Sequence, residues 1–212
     1  DDMIRIGLTG GIAAGKSTIS TYLGRQGIPV IDYDRLSYNA AAPGSKGLVR
    51  ICEEFGDEAC LPDGSLNRRW LAGQVFGASE NAARNRRKLN GIIHPLVFRE
   101  ARRLDNEARG QGAAAVIHDV PLLIESLPDM VQYHIVPDVI ITVEASDETR
   151  IRRMARTRGM TQAQAQDRIR AQASRQERER YADYIISADQ PIDRMCAQAQ
   201  SIITALTEKP VR

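Results

Sequence analysis

The residues Gly10-Gly11-Ile12-Ala13-Ala14-Gly15-Lys16-Ser17 follow the spacing G-x-x-x-x-G-K-[ST], and Thr18 comes next. These residue types suit one task, the wrapping of a phosphate chain. Backbone N–H groups must close around the anion, which needs glycines for a tight turn and a close approach, and a helix starting there adds its positive end. Gly11, Ile12, Ala13, Ala14, Gly15, Lys16, Ser17 and Thr18 are therefore the candidate nucleotide-binding residues. Lys16 would reach the β and γ phosphates, Ser17 would ligate Mg²⁺, and Thr18 would add a phosphate contact. At roughly 0.07 for each Gly and Lys and about 0.13 for Ser plus Thr, a 200-residue chain meets this pattern by accident about 1 per cent of the time.

Two further groups carry chemistry. Asp32 and Asp34 follow the short apolar run Ile28-Pro29-Val30-Ile31. At i and i+2 on a strand end they would point to the same side, close to where the loop opens. One could accept the proton of an attacking hydroxyl, help worth roughly 10² to 10⁴ in rate, while the other orients a water on Mg²⁺. Asp34 also stands where a helix N-cap would. The other group is arginine: from Thr149 to Arg180, ten arginines face Asp167, Glu177 and Glu179, a local charge of +7 that leaves −5 for the rest of the chain. A helical hairpin of that kind suits a lid that closes on ATP, excludes water and stabilises the transferring phosphoryl group. A solvated helix face accounts for several of the ten.

Strands and helices must hold these groups. Ile4 to Thr9 reads as a strand entering the phosphate loop, and Ile19 to Gln26 as the helix leaving it, closed by Gly27. Residues 35–109 read as helices separated by the turns Ala42-Pro43-Gly44-Ser45 and Leu61-Pro62-Asp63-Gly64. A long helix from about Glu80 to Arg109 should kink or break at His94-Pro95. His94 beside that break is either an acceptor contact or a structural residue. Near-continuous apolar runs at 113–118 and 136–143, then Tyr184 to Ser187, are strands of the buried, parallel kind, and Asp119 ends the first of them as a candidate carboxylate near Mg²⁺. With right-handed crossovers the fold class is α/β, a five-stranded, mostly parallel sheet. The lid segment reads as two helices around Gly159-Met160-Thr161, with Thr161 a cap, and Pro191 starts a closing helix.

The 212 residues suit one embellished domain or at most two. Twenty-nine basic against 27 acidic side chains give a net charge of +2, which argues against a polyanion-coating protein. Only Lys16, Lys46, Lys88 and Lys209 are lysines. Cys52, Cys60 and Cys196 are scattered and odd in number, so reduced thiols and a cytoplasmic location are expected. No run reaches the 18 or so apolar residues of a membrane helix, and no secretory leader opens the chain. Asp1 and Asp2 precede Met3, which reads as the native start, and are set aside.

Taken together, Thr9-Gly10-Gly11-Ile12-x-x-Gly15-Lys16-Ser17, Asp32-x-Asp34, Asn90-x-x-x-His94-Pro95-Leu96-Val97, Asp119-x-Pro121-Leu122-Leu123-x-Glu125, Arg152-Arg153 and Gln172-x-x-Arg175 resemble the dephospho-CoA kinases, in order and over essentially the whole chain. The resemblance implies a P-loop kinase fold with a nucleotide-binding core (3–34, 110–148 and 183–208), an inserted all-helical acceptor subdomain (35–109) and a helical lid (149–182). It implies ATP-dependent phosphorylation of the ribose 3′-hydroxyl of 3′-dephospho-CoA, the last step of coenzyme A biosynthesis, with ATP as co-substrate and Mg²⁺. By the same resemblance Lys16 is the phosphate lysine, Asp34 the general base and Asp32 near the metal. His94, Leu122 and Leu123 line the acceptor site, Arg153 is the lid arginine on the phosphates, and Gln172 and Arg175 sit in the second lid helix. No nucleic acid, membrane or obligate protein partner is implied.

The family usually has glycine where Ala13 stands, and alanine fits there as long as its φ stays negative. Ser187-Ala188-Asp189-Gln190-Pro191 replaces an Asn-x-Gly-like turn beside the adenine, so no side chain of that stretch is assigned to the base. Among rivals, a nucleoside or nucleotide kinase lacks the His94-Pro95 and Asp119-to-Glu125 motifs. A regulatory GTPase would need an Asn-Lys-x-Asp string that does not occur. Nucleic-acid binding would need basic and aromatic residues interleaved, which they are not.

Overall fold

Five short apolar runs pair side by side in the computed structural model, which describes residues 3–208. They are β1 (Ile4–Gly10), β2 (Val30–Asp32), β3 (Ala115–Asp119), β4 (Val139–Glu144) and β5 (Tyr184–Ser187), in the order β2-β3-β1-β4-β5, with every pairing parallel. Residues of β1, β3 and β4 such as Ile6, Ile117 and Ile141 are wholly buried. Two helices, α1 (Lys16–Arg25) and α10 (Ile192–Thr207), contribute Ile19, Leu23, Met195 and Ile203 to the same core. Each such side chain stabilises the fold by about 1.5–3 kcal/mol. Asp1, Asp2 and Lys209 lie outside the described residues.

The chain divides into two compact units, one of residues 3–32 with 104–208 and the other Tyr33–Arg103. The boundaries fall slightly before the expected 34/35 and 109/110, and the arginine-rich segment belongs to the same unit as the sheet. That segment forms three helices rather than two: α7 (Asp147–Arg158), α8 (Gln162–Arg170) and α9 (Arg175–Tyr181). Gly159 ends α7 in the left-handed conformation, and Thr161 begins α8 with a full capping box to Gln164. Between β3 and β4 lies α6 (Leu123–Gln132).

The second unit contains α2 (Tyr33–Ala40), α3 (Lys46–Phe55), a 3₁₀ turn (Asp57–Ala59), α4 (Arg68–Val75) and most of α5 (Glu80–Gly110). Ser45 and Asn67 cap α3 and α4 with their side chains. Leu48, Ile51, Ala59, Leu71, Val75 and Ile92 form its core. Two expectations fail here. Of the kink or break expected at Pro95, the break does not occur: helix α5 runs through it, because a proline costs one main-chain hydrogen bond while Ile92, Val97, Phe98 and Ala101 on both sides of it are buried. Cys52 and Cys60 are joined in a disulfide, and Cys196 alone is a free thiol. The end of α3 and the residue after the 3₁₀ turn bring the pair together, a proximity that their spacing of eight does not reveal. No helix among the described residues is long and apolar enough to cross a membrane.

The loop from β1 to α1 turns on two left-handed residues, Ala13 at φ 60° and Gly15 at φ 105°. Glycine adopts that region freely, whereas for an L-residue it costs roughly 1–2 kcal/mol. The expected negative φ at Ala13 is thus not found: the loop imposes its shape on an alanine. Replacing Ala13 with Gly should therefore raise stability by roughly 0.5 kcal/mol, since the relieved strain exceeds the added freedom of the unfolded chain. Denaturant unfolding of the two proteins checks this, and a loss of stability would show that the alanine is not strained.

At the other end of α5, Asp105 is fully buried and accepts from Arg5 Nε and Nη2 of β1, both at 2.9 Å, and lies 2.9 Å from His118 Nε2 of β3. Burial alone would raise its pKa, but the hydrogen bonds from His118 and Arg5 and their charges outweigh it and bring the pKa to about 2, from 3.8. A depressed carboxylate pKa contributes stability that is present above about pH 4 and lost as the pH falls through about 2. Asp105→Asn should abolish this part of the acid limb, worth about 2 kcal/mol, in urea unfolding measured from about pH 2 to 6. An unchanged acid limb would remove Asp105 as its source.

Candidate active site

Parallel strands all present their carboxyl ends on one side, and there the sheet edge collects loops rather than regular pairing. Gly10 ends β1, and Lys16, Ser17 and Thr18 open α1. No side chain caps this helix: its N-cap is Gly15, so the first turn presents backbone amides and the positive end of the helix. The register puts Asp32, the last residue of β2, opposite Asp119, the last of β3. Lys16 Nζ is hydrogen-bonded to Asp119 Oδ1. Burial pushes the Asp119 carboxyl above its ordinary value; Lys16 opposes this, and the charge of Asp32 adds to it. Thr9 Oγ1 donates to Pro121 O at 3.3 Å, tying β1 to the turn after Asp119.

Among the described residues no three His, Cys, Asp or Glu side chains gather as a metal cage. The donors at the strand ends and in the first turn of α1 are hard oxygens: the carboxylates of Asp32 and Asp119 and the hydroxyl of Ser17. That set fits Mg²⁺, which keeps several waters and takes one or two protein ligands together with phosphate oxygens.

The arginine-rich helices close over the loop. Gln172 lies in the turn after α8 rather than in the expected second lid helix, and its Oε1 accepts from the Ile12 amide at 2.8 Å. Arg153 donates through Nη1 to Ala13 O (3.2 Å) and Ala14 O (2.9 Å), and through Nη2 to Ala188 O (3.3 Å). Its guanidinium therefore holds loop carbonyls. Ala173 N donates to Glu125 Oε1 at 2.9 Å, so the turn between α8 and α9 is anchored to α6 as well. Arg175 pairs with Glu179 on its own helix at 2.8 Å. Beside Gly15 and Ser17 opens a cleft of about 330 Å³ lined by Thr18, Arg153, Ala188, Gln190, Ile192 and Met195. Asp189 faces α7 instead, accepting from Ser146 N and Thr149 Oγ1, both at 2.9 Å, and the first of these bonds holds its carboxyl below the usual value.

The remaining expected residues are distributed as follows. Asp32 and Asp34 are both exposed, with buried Tyr33 between them, but they do not share a strand, because α2 begins at Tyr33 and places Asp34 in its first turn. Asp34 accordingly lies inside the helix rather than capping it. His94 belongs to the second unit, edge-on to Phe98 with ring centroids 6.1 Å apart. Of the two leucines after Pro121, Leu122 is 46% exposed and Leu123 is 1% exposed, so only Leu122 is available to a ligand. Sequence reasoning leaves Arg150, Arg178 and Glu144 without a role, yet they are almost fully buried beside the loop. A signal exists for Glu144, an acid closing the apolar run Val-Ile-Ile-Thr-Val; nothing marks which of ten arginines would answer it.

The family model for dephospho-CoA kinase matches residues 4–194. A dephospho-CoA kinase of Bifidobacterium longum is 47% identical over 201 residues, covering 94% of this chain and 95% of that protein. Another, of Cutibacterium acnes, is 43% identical over 202 residues, covering 94% of this chain and 83% of that one. The crystal structure of a Thermus thermophilus protein superposes with a TM-score of 0.77 at 27% identity, covering 98% of this chain and 100% of that chain. The ordered motifs, the parallel sheet with its phosphate loop and these matches agree, and the chain belongs to the dephospho-CoA kinase family.

Proposed function

We propose that the protein phosphorylates the ribose 3′-hydroxyl of 3′-dephospho-CoA with ATP, giving CoA and ADP. The observation that carries this reading is the Lys16–Asp119 pair at the mouth of an uncapped, glycine-turned loop, in a chain whose family is the dephospho-CoA kinases. Lys16 is held at the loop by a carboxylate, and turning its ammonium to the β and γ phosphates of ATP would free Asp119 to face the metal. Ser17 and Asp32 would hold Mg²⁺, Asp32 through water. When bound, the metal neutralises charge on the β and γ phosphates. Gly11 to Thr18 wrap the phosphates, and the cleft beside Gly15, lined by Met195 and Ile192, takes the adenine.

Asp34 accepts the proton of the 3′-hydroxyl. The oxygen then bonds to the γ-phosphorus as the bond from that phosphorus to the β,γ-bridging oxygen breaks, and ADP leaves. His94 and Leu122 contact the acceptor. Arg153, Gln172 and Arg175 act as lid residues: Gln172 and Arg153 bind the loop directly, and closure excludes water that would otherwise compete for the phosphoryl group. The reading carries with it a cytoplasmic location and small-molecule partners only.

Incubating the protein with Mg-ATP and 3′-dephospho-CoA, and separately with adenosine or nucleoside monophosphates, should release ADP with the first acceptor alone. Turnover confined to the nucleoside set would replace the assignment with a nucleoside or nucleotide kinase. Asp34→Asn should lower kcat by about 10²-fold or more while leaving the Kd for Mg-ATP within about threefold. Near-normal kcat in that variant would exclude Asp34 as the base.

A further inference from the structure

Gly11 differs from the other special glycines of the loop. Its φ is not among the positive values, so no left-handed turn demands glycine there. The demand is for space. A Cβ on Gly11 would lie 2.5 Å from Arg150 Nη2, 2.6 Å from Arg150 Cζ and 2.8 Å from Arg178 Nη2. Two guanidinium groups thus rest directly on the loop backbone at this residue, and they are 2% and 3% exposed.

Their partners are unequal. Arg178 is fully answered: Nε and Nη2 make a bidentate pair with Glu144 at 2.7 and 2.9 Å, Nη1 donates to Ala173 O, and Thr142 Oγ1 completes the Glu144 carboxylate at 2.8 Å. Arg150 donates from Nε to Ile12 O at 2.9 Å and from Nη1 to the exposed Asp147 at 3.2 Å, and its Nη2 is buried with no hydrogen-bond partner among the described residues. Burial and the neighbouring Arg178 charge both press the Arg150 pKa downward. The buried cluster therefore holds two guanidinium charges against the single carboxylate of Glu144, beside a loop built for an anion.

A trans peptide points its C=O and the following N–H in opposite directions. Arg150 takes Ile12 O, and Arg153, one turn further along α7, takes Ala13 O and Ala14 O. Drawing the carbonyls of residues 12, 13 and 14 to the helix side turns the following N–H groups away from it; that of Ala14 is taken by Gly11 O at 3.0 Å, which leaves those of Ala13 and Gly15 for the phosphates. We infer that Arg150 is a positioning residue for nucleotide binding, braced by the Arg178–Glu144 pair, and that Gly11 is glycine to admit the two guanidinium groups. The inference rests on the reading of the loop as an ATP site. The unpartnered Nη2 donor has a consequence: buried without an acceptor, it is a burden to the ligand-free protein that is offset when the phosphates arrive.

The test is a double-variant cycle on Mg-ATP affinity by titration calorimetry, using wild type, Gly11→Ala, Arg150→Met and the double variant. Each single change should weaken binding about tenfold or more. The double variant should bind within about threefold of the worse single one, because a methyl group at position 11 loses its closest clash once the Arg150 guanidinium is gone. Independent effects, near a hundredfold together, would overturn the inference. The melting temperature of ligand-free Arg150→Met should match or exceed that of wild type; a fall of more than about 5 °C with unchanged Kd would make Arg150 merely structural and overturn it as well. The acceptor is absent from both measurements. Wild-type protein that binds Mg-ATP yet fails to phosphorylate 3′-dephospho-CoA would defeat the proposed reaction and leave this cycle decisive.

Discussion

A single ion pair organises the carboxyl edge of the sheet: the Lys16 ammonium on the Asp119 carboxylate. A flexible ammonium needs an anchor, and a largely buried carboxylate must not sit unpaired. Pairing them meets both needs and costs nothing that ligand binding cannot reverse. The pair exists only because β1 and β3 are adjacent and parallel, with Leu8 level with Asp119, so that the loop leaving β1 lies over the end of β3. The core packing of Ile6, Ile117 and Ile141 therefore fixes the distance between the two charges as much as their own attraction does.

A second constraint acts on the same loop from outside. The residues from Gly11 to Gly15 lie between strand and helix with no regular partner in the sheet, and their polar groups must be satisfied individually. Arg150 and Arg153 take three carbonyls, Gln172 takes one amide, and Ala14 N closes a turn to Gly11 O at 3.0 Å. The arginine-rich helices thus belong with the loop and the sheet in one compact unit. Their charge serves first to shape backbone. Lysine could not replace arginine here without loss, since a fork with separate Nε and Nη donors reaches two partners from one planar group.

Much of this is legible in the chain. Periodicity and punctuation place all five strands to within a few residues, and the loop spacing locates Lys16 and Ser17 without ambiguity, because only a narrow set of residue types lets a backbone wrap an anion. The errors have physical causes. Pro95 reads as a kink or a break, and no break occurs, because local propensity weighs a lost hydrogen bond but not the buried residues that hold a helix together from outside. Asp34 reads as part of a strand because a run of apolar residues does not announce where the main chain changes from extended to helical. A negative φ is expected at Ala13 because side-chain preference is visible in a sequence and loop geometry is not.

Residue type and spacing alone carry the chemistry class: a glycine loop of phosphate-binding spacing, its lysine, its hydroxyl and the excess of arginine nearby survive any arrangement of the rest. Only the tertiary structure decided which of the ten arginines matter and for what. Arg150, Arg152, Arg153 and Arg156 are one residue type within two turns of one helix. Packing buries Arg150, lays Arg153 along the loop carbonyls and leaves Arg152 paired with the exposed Glu148. The reason is that the worth of a charge depends on its desolvation and its partners. Both are set by residues distant in the chain, such as Ile12 and Glu144, that only folding brings alongside.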